Sequence, residues 1–126
     1  MIQAVLFPTL QETLELHKQL ILRFGGSAGV RDMGLLESAL VRPQTGYYDT
    51  LSLQAAALLQ SLCQNHCFVD GNKRVAFQAM YLFLGLNGFR IEAPEEEVVA
   101  VILSLASGGL DEVGLAAWLR EHISPR

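Results

Sequence analysis

The sequence predicts an all-α protein, a compact bundle of about six helices around a central buried helix. Three observations predict it. Apolar residues recur at helical spacing in successive segments. Glycine pairs and prolines punctuate those segments, as at Gly25-Gly26 and Gly108-Gly109. Residues that cap helices, Thr9, Asp32 and Asp111, stand where segments begin. At 126 residues the chain is one domain's worth, residues 1–126. Its hydrophobic fraction of 51% against 17% charged leaves little of it free to be disordered.

The first helix opens with a capping box, Thr9 as cap and Glu12 three residues on. Leu10, Leu14, Leu20, Ile21 and Phe24 form its apolar stripe, and Gly25-Gly26 ends it. Residues 26–31 read as a loop. Asp32 caps a short second helix through Leu35, Leu36, Ala39 and Leu40 to Pro43. Residues 44–49 are a polar loop containing Tyr47 and Tyr48. A third helix runs from about Leu51 to His66, with Ala55, Leu58, Leu59, Leu62 and His66 on one inward face. Phe68 and Val69 make a turn, with Phe68 as a core plug. Asp70 or Gly71 starts a fourth helix that ends near Asn87-Gly88. It is apolar almost all round, which makes it the expected central helix. Pro94 and the acids Glu95, Glu96 and Glu97 open a fifth, with the acids at the favourable pole. Asp111 and Glu112 open a sixth, carrying Leu115, Trp118 and Leu119. A short extended piece is expected at residues 2–6.

Composition narrows the function. A net charge of −4 offers no general basic surface, so direct nucleic-acid binding is not expected. No uninterrupted apolar stretch is long enough to span a membrane, and residues 1–7 lack the pattern of a signal peptide. The expected location is the cytoplasm. Cys63 and Cys67, spaced as on one helix, are expected to be reduced thiols; with His66 they fall short of the four ligands of a structural zinc.

Residues 66–74, His-Cys-Phe-Val-Asp-Gly-Asn-Lys-Arg, carry the strongest functional signal. Lys73 and Arg74 stand where a helix begins, although cations are unfavourable at that pole. They also precede the most apolar helix, where solvent is expected to be scarce. Lys73 is one of only two lysines in the chain. An anion resolves the conflict, because free N–H groups at a helix start already bind one. Each residue alone has an ordinary use: His66 as a core histidine, Asp70 and Asn72 as caps, and the cations reaching solvent. Together they offer a general base in His66 and a magnesium ligand in Asp70. Gly71, Asn72, Lys73 and Arg74 would bind phosphate. The combination suits phosphoryl or nucleotidyl transfer. Neither a Walker A sequence nor G-x-G-x-x-G is present.

The run His66-x-Phe68-x-Asp70-Gly71-Asn72-Lys73-Arg74 resembles the signature of the Fic/Doc superfamily. Lys73 and the short helical chain resemble its Doc (death-on-curing) branch, the toxins of toxin–antitoxin modules. A second stretch is similar to the N-terminal half of Doc-like proteins. It comprises Leu16-His17, Gly25-Gly26, Val30-Arg31-Asp32, Gly34 to Leu40 and Arg42-Pro43-Gln44. The resemblance covers residues from about Thr9 to Gly88. It implies that His66 deprotonates a target hydroxyl, Asp70 holds Mg²⁺ and Asn72 orients the phosphate loop. Lys73 and Arg74 would then hold the phosphates of ATP or another nucleoside triphosphate.

Cys67, Lys73 and Phe77 depart from the Fic adenylyltransferase pattern, Phe77 standing where that pattern has a second arginine. The resemblance therefore implies a Doc-type protein phosphotransferase, a serine/threonine kinase-like enzyme. It would transfer phosphate to a translation elongation factor, halt translation and be neutralised by a cognate antitoxin. The family's autoinhibitory pattern, [S/T]-x-x-x-E-[G/N], matches no Ser or Thr here. An amphipathic antitoxin segment is expected beside the site, and the loop at residues 46–50 is a candidate flap. The alternatives are an adenylyltransferase, and a non-catalytic binding module that keeps the fold.

Overall fold

Thr9 begins the first helix by satisfying two backbone N–H groups at once. In the computed structural model, which describes residues 4–126, its hydroxyl accepts from Glu12 N–H at 3.1 Å. The Glu12 carboxylate accepts from Thr9 N–H at 2.9 Å. Helix α1 (Leu10–Phe24) follows and stops at Gly25, φ +85°. Asp32 caps α2 (Met33–Val41) through Leu35 N–H at 3.0 Å, and a 3-10 turn at Arg42–Gln44 follows. Thr50 caps α3 (Leu51–Gln64). Gly71 begins α4 (Asn72–Leu86) without any side-chain cap. Pro94 precedes α5 (Glu95–Ala106), with its three glutamates in the first turn, and Asp111 caps α6 (Glu112–His122).

The all-α class holds, with one addition. Strands β1 (Phe89–Ile91) and β2 (Ile123–Pro125) pair antiparallel, Arg90 opposite Ser124. Three residues each, one of them proline, are too few to show an alternating pattern.

The central helix is α3 rather than the expected α4. It packs most extensively against α4 and α6, and also meets α2 and α5. Ala55, Ala56, Ala57, Leu58 and Leu59 are all fully buried. Three successive alanines let neighbours approach α3 from several sides. On α4, Tyr81 is exposed and Phe77 and Leu82 are half-buried, so its apolar surface is only partly covered. The core joins Leu36, Leu58, Leu62, Met80, Phe83, Leu115 and Leu119. The α5–α6 contact includes Glu97, which accepts from Trp118 Nε1–H at 3.0 Å.

Helix α3 also ends earlier than expected. It stops at Gln64, Asn65 caps it, and His66 turns away with φ +51°. His66 is therefore exposed instead of lying on the inward face. Cys67 is off the helix too; both cysteines are buried and free.

Of the expected extended piece, residues 2 and 3 lie outside the described residues. Leu6 is strapped to the end of α4 by Asn87, which accepts from Leu6 N–H at 2.9 Å and donates to Leu6 O at 2.8 Å. Phe7 stacks on Phe83 at 4.9 Å. Asn87 also donates to Phe83 O. No described helix is long and apolar enough to cross a membrane. Asn87→Ala should lower stability by about 1–2 kcal/mol, a few modest hydrogen bonds' worth. It should also speed limited proteolysis before Thr9 while leaving the α3–α4 core protected; unchanged cleavage would refute the strap.

Candidate functional site

The backbone of Phe68 is held from two directions, and the site is built on it. Asn72 reaches back from the first position of α4. Its Oδ1 accepts from Phe68 N–H and its Nδ2 donates to Phe68 O, each at 3.0 Å. On the other side, Val30 and Phe68 form an antiparallel bridge. Val69 N–H donates to Gly29 O at 3.1 Å, and the Arg31 and Asp32 N–H groups donate to Cys67 O at 2.7 and 3.0 Å. The Phe68 ring is 1% exposed, as a core plug should be, and stacks on His17.

Next to this pinned turn, Asp70 is exposed, and its carboxylate is tied locally. Oδ1 accepts from Gly71 N–H at 2.8 Å and Oδ2 from Ser27 N–H at 3.2 Å. These bonds from Ser27 and Gly71, with lesser help from Arg74 and His17, hold the Asp70 carboxyl below the usual carboxylate range. The glycine loop after α1 makes room for it. A Cβ on Gly26, φ +112°, would lie 2.7 Å from Asp70 Oδ2. Gly71 adopts the left-handed φ +76°, which glycine tolerates best.

A cleft of about 580 Å³ opens here. All six predicted site residues border it: His66, Asp70, Gly71, Asn72, Lys73 and Arg74. Lys73 and Arg74 are exposed, because the start of α4 lies at the surface; the expectation that solvent is scarce there does not hold. The Arg74 guanidinium sits over the ring of Phe24, 4.9 Å from its centroid, so an aromatic rim residue helps hold it. Burial pushes the Cys63 thiol, on the cleft wall, upward in pKa, with nearby Lys73 opposing. Asp70 is the one carboxylate on the lining. Among the described residues no three His, Cys, Asp or Glu side chains gather as a metal cluster.

Three supporting residues carried no chemical signal in the sequence. His17 occupies a buried position on α1 and bonds Asp70 O from below. Arg31 Nε donates to His66 O at 2.7 Å, bracing the turn that carries the imidazole. Ser27 contributes only its N–H. His17 and Arg31 fall within the second similar stretch, which was the available hint. The loop at residues 46–50 is not on the cleft lining. Tyr48 is buried under Arg42, and Tyr47 is 83% exposed.

Comparison with known proteins gives concordant matches. The model of the Fic/DOC family matches residues 7–84. A protein of Mycolicibacterium smegmatis (strain ATCC 700084 / mc(2)155) named Toxin Doc is 51% identical over 75 residues, 56% of this chain. That match spans 58% of the mycobacterial protein. A protein of Escherichia phage P1 named Protein kinase doc is 31% identical over 115 residues, covering 87% of this chain and 90% of the phage protein.

The Asp70 bonds have a pH signature. The folded chain releases this proton more readily than the unfolded chain does. The contribution of Asp70 to stability is therefore complete above about pH 4 and is lost as pH falls through the folded value. Acid titration of thermal stability should fall more steeply in the wild type than in Asp70→Asn. Parallel acid limbs would contradict the assigned bonds.

Proposed function

The chain belongs to the Fic/DOC family, and from that premise we propose that it is a Doc-type toxin acting as a protein phosphotransferase. The observation that supports this most is the shared border of one cleft by His66, Asp70, Lys73, Arg74 and the start of α4. An imidazole, a carboxylate, two cations and a helix start with no side-chain cap together suit a nucleoside triphosphate and an incoming hydroxyl.

In this reading the phosphates of ATP occupy the cleft against Lys73, Arg74 and the first N–H groups of α4. His66 accepts the proton of a target hydroxyl. The hydroxyl oxygen forms its bond to the terminal phosphorus as the bond to the bridging oxygen breaks, and ADP leaves with those electrons. Asn72 keeps the loop in register through its two bonds to the Phe68 backbone. Asp70 suits Mg²⁺, which takes few protein carboxylates and completes its shell with water and phosphate oxygens. When bound, the ion offsets phosphate charge; Asp70 stays ionised to receive it.

The proposed partners are a cytoplasmic protein target, a translation elongation factor, and a cognate antitoxin. A largely apolar groove of about 440 Å³ runs from Lys73 and Arg74 past Phe77 to Val98, Val99, Ile102 and Leu103 on α5. It suits an amphipathic antitoxin segment lying beside the cleft. Phe77 faces this groove, and no second arginine stands at its place beside the phosphates. That favours transfer of the terminal phosphate over transfer of AMP.

The test uses purified chain, Mg²⁺ and ATP labelled separately at the γ and α phosphates, added to a bacterial translation extract containing elongation factors. Label from the γ position should reach one protein band, and His66→Ala should lose the transfer by about 10²-fold or more while keeping its melting temperature. Transfer of α-label would assign adenylylation instead. Absence of both would leave a binding module. An active His66→Ala would remove His66 as the base.

A further inference from the structure

The C=O of Asp70 and the N–H of Gly71 belong to one trans peptide, so they point in opposite directions. Whatever holds that carbonyl also decides where the N–H is aimed. His17 holds it. Its Nε2 lies 2.8 Å from Asp70 O, and because a carbonyl only accepts, Nε2 is the donor. The imidazole is 4% exposed. It lies flat on Phe68, with ring centroids 3.8 Å apart and planes 15° apart. It also underlies the next residue: a Cβ on Gly71 would be 3.6 Å from Nε2.

We propose that His17 is a positioning residue for phosphate binding. It draws the Asp70 carbonyl toward α1 and so keeps the Gly71 N–H on the Asp70 carboxylate at the border of the cleft. Gly71 has no Cβ to restrict the flanking dihedrals, so its own conformation does not select one orientation of this peptide. A fixed donor beneath the carbonyl does, together with the Asp70 carboxylate on the N–H. The same bond holds the peptide from which α4 starts, so it also sets where the first α4 N–H groups point. His17 is absent from the cleft lining and needs no contact with the nucleotide. The proposal rests on the phosphate-binding reading of the cleft.

The experiment compares wild type, His17→Leu and His17→Gln. Calorimetry measures binding of MgATP and of inorganic tripolyphosphate, and ¹H–¹⁵N NMR follows the Gly71 amide. Leucine fills similar space without a donor; glutamine can present an N–H near the place of Nε2. His17→Leu should bind both probes about tenfold more weakly, one charge-linked hydrogen bond's worth, with the Gly71 resonance displaced. His17→Gln should restore both readouts even though it loses the stacking and melts lower. A purely structural role would lower stability in both variants and leave affinity alike. A folded His17→Leu with unchanged affinity and an unmoved Gly71 resonance overturns the proposal. Should His17→Leu not fold, His17→Asn, too short to reach the carbonyl, takes its place; affinities equal to those of His17→Gln overturn it equally. Wild type that binds neither probe refutes the phosphate reading of the cleft, and the Gly71 resonance in the variants still decides whether His17 sets the peptide.

Discussion

The paired hydrogen bonds between Asn72 and the backbone of Phe68 are the constraint on which the site depends. They close a short loop, residues 68–72, within which Asp70 and Gly71 have little freedom, while Arg31 braces His66 just before it. Loops are usually free to drift because few buried contacts hold them. This one is anchored by a buried aromatic ring and bridged to residues 29–32. The chemistry-bearing side chains are exposed, while the backbone under them is fixed. A reactive surface on a rigid base is what positioning of phosphates and a nucleophile demands.

Electrostatics and fold are in tension at the same place. Helix α4 begins without a side-chain cap, and two cations occupy its first turn. Every other described α-helix begins with a capping Thr or Asp side chain or, in α5, with acids in its first turn. The nearest compensation is Asp70, whose carboxylate is drawn toward backbone N–H groups of Ser27 and Gly71. One carboxylate against two cations and a helix pole leaves an excess of positive potential in a chain whose net charge is −4. That local reversal of sign gives an anionic ligand a reason to prefer this surface over the rest.

Much of this was legible in the sequence because it is local. Thr9, Asp32 and Asp111 cap helices through atoms three residues away, and the motif from His66 to Arg74 brings its members together by chain proximity alone. What was not legible depends on distant parts of the chain. The inward placing of His66 followed from helical spacing after Leu62. The helix instead ends at Gln64 without a glycine, and nothing in residues 64–66 signals a positive φ at a histidine. The central role of α3 was hidden because its alanines score lower in hydrophobicity than the Phe and Leu residues of α4, yet permit closer packing. His17 is one polar residue among several on an amphipathic helix. Its role exists only because the peptide of Asp70 lies 53 residues away in sequence and directly against it.

The two ends of the described chain share a location. Leu6 is tied to Asn87, and Arg126 N–H donates to Gly88 O at 2.9 Å. Both ties lie at the C-terminal end of α4, whereas the cleft lies at its N-terminal end, about 22 Å away along a helix of this length. A fluorescent label, an affinity handle or a surface linker attached beside Leu6 or Arg126 therefore hangs from the pole remote from the cleft. Leu6 and Arg126 thus mark attachment points at the opposite end of α4 from the cleft.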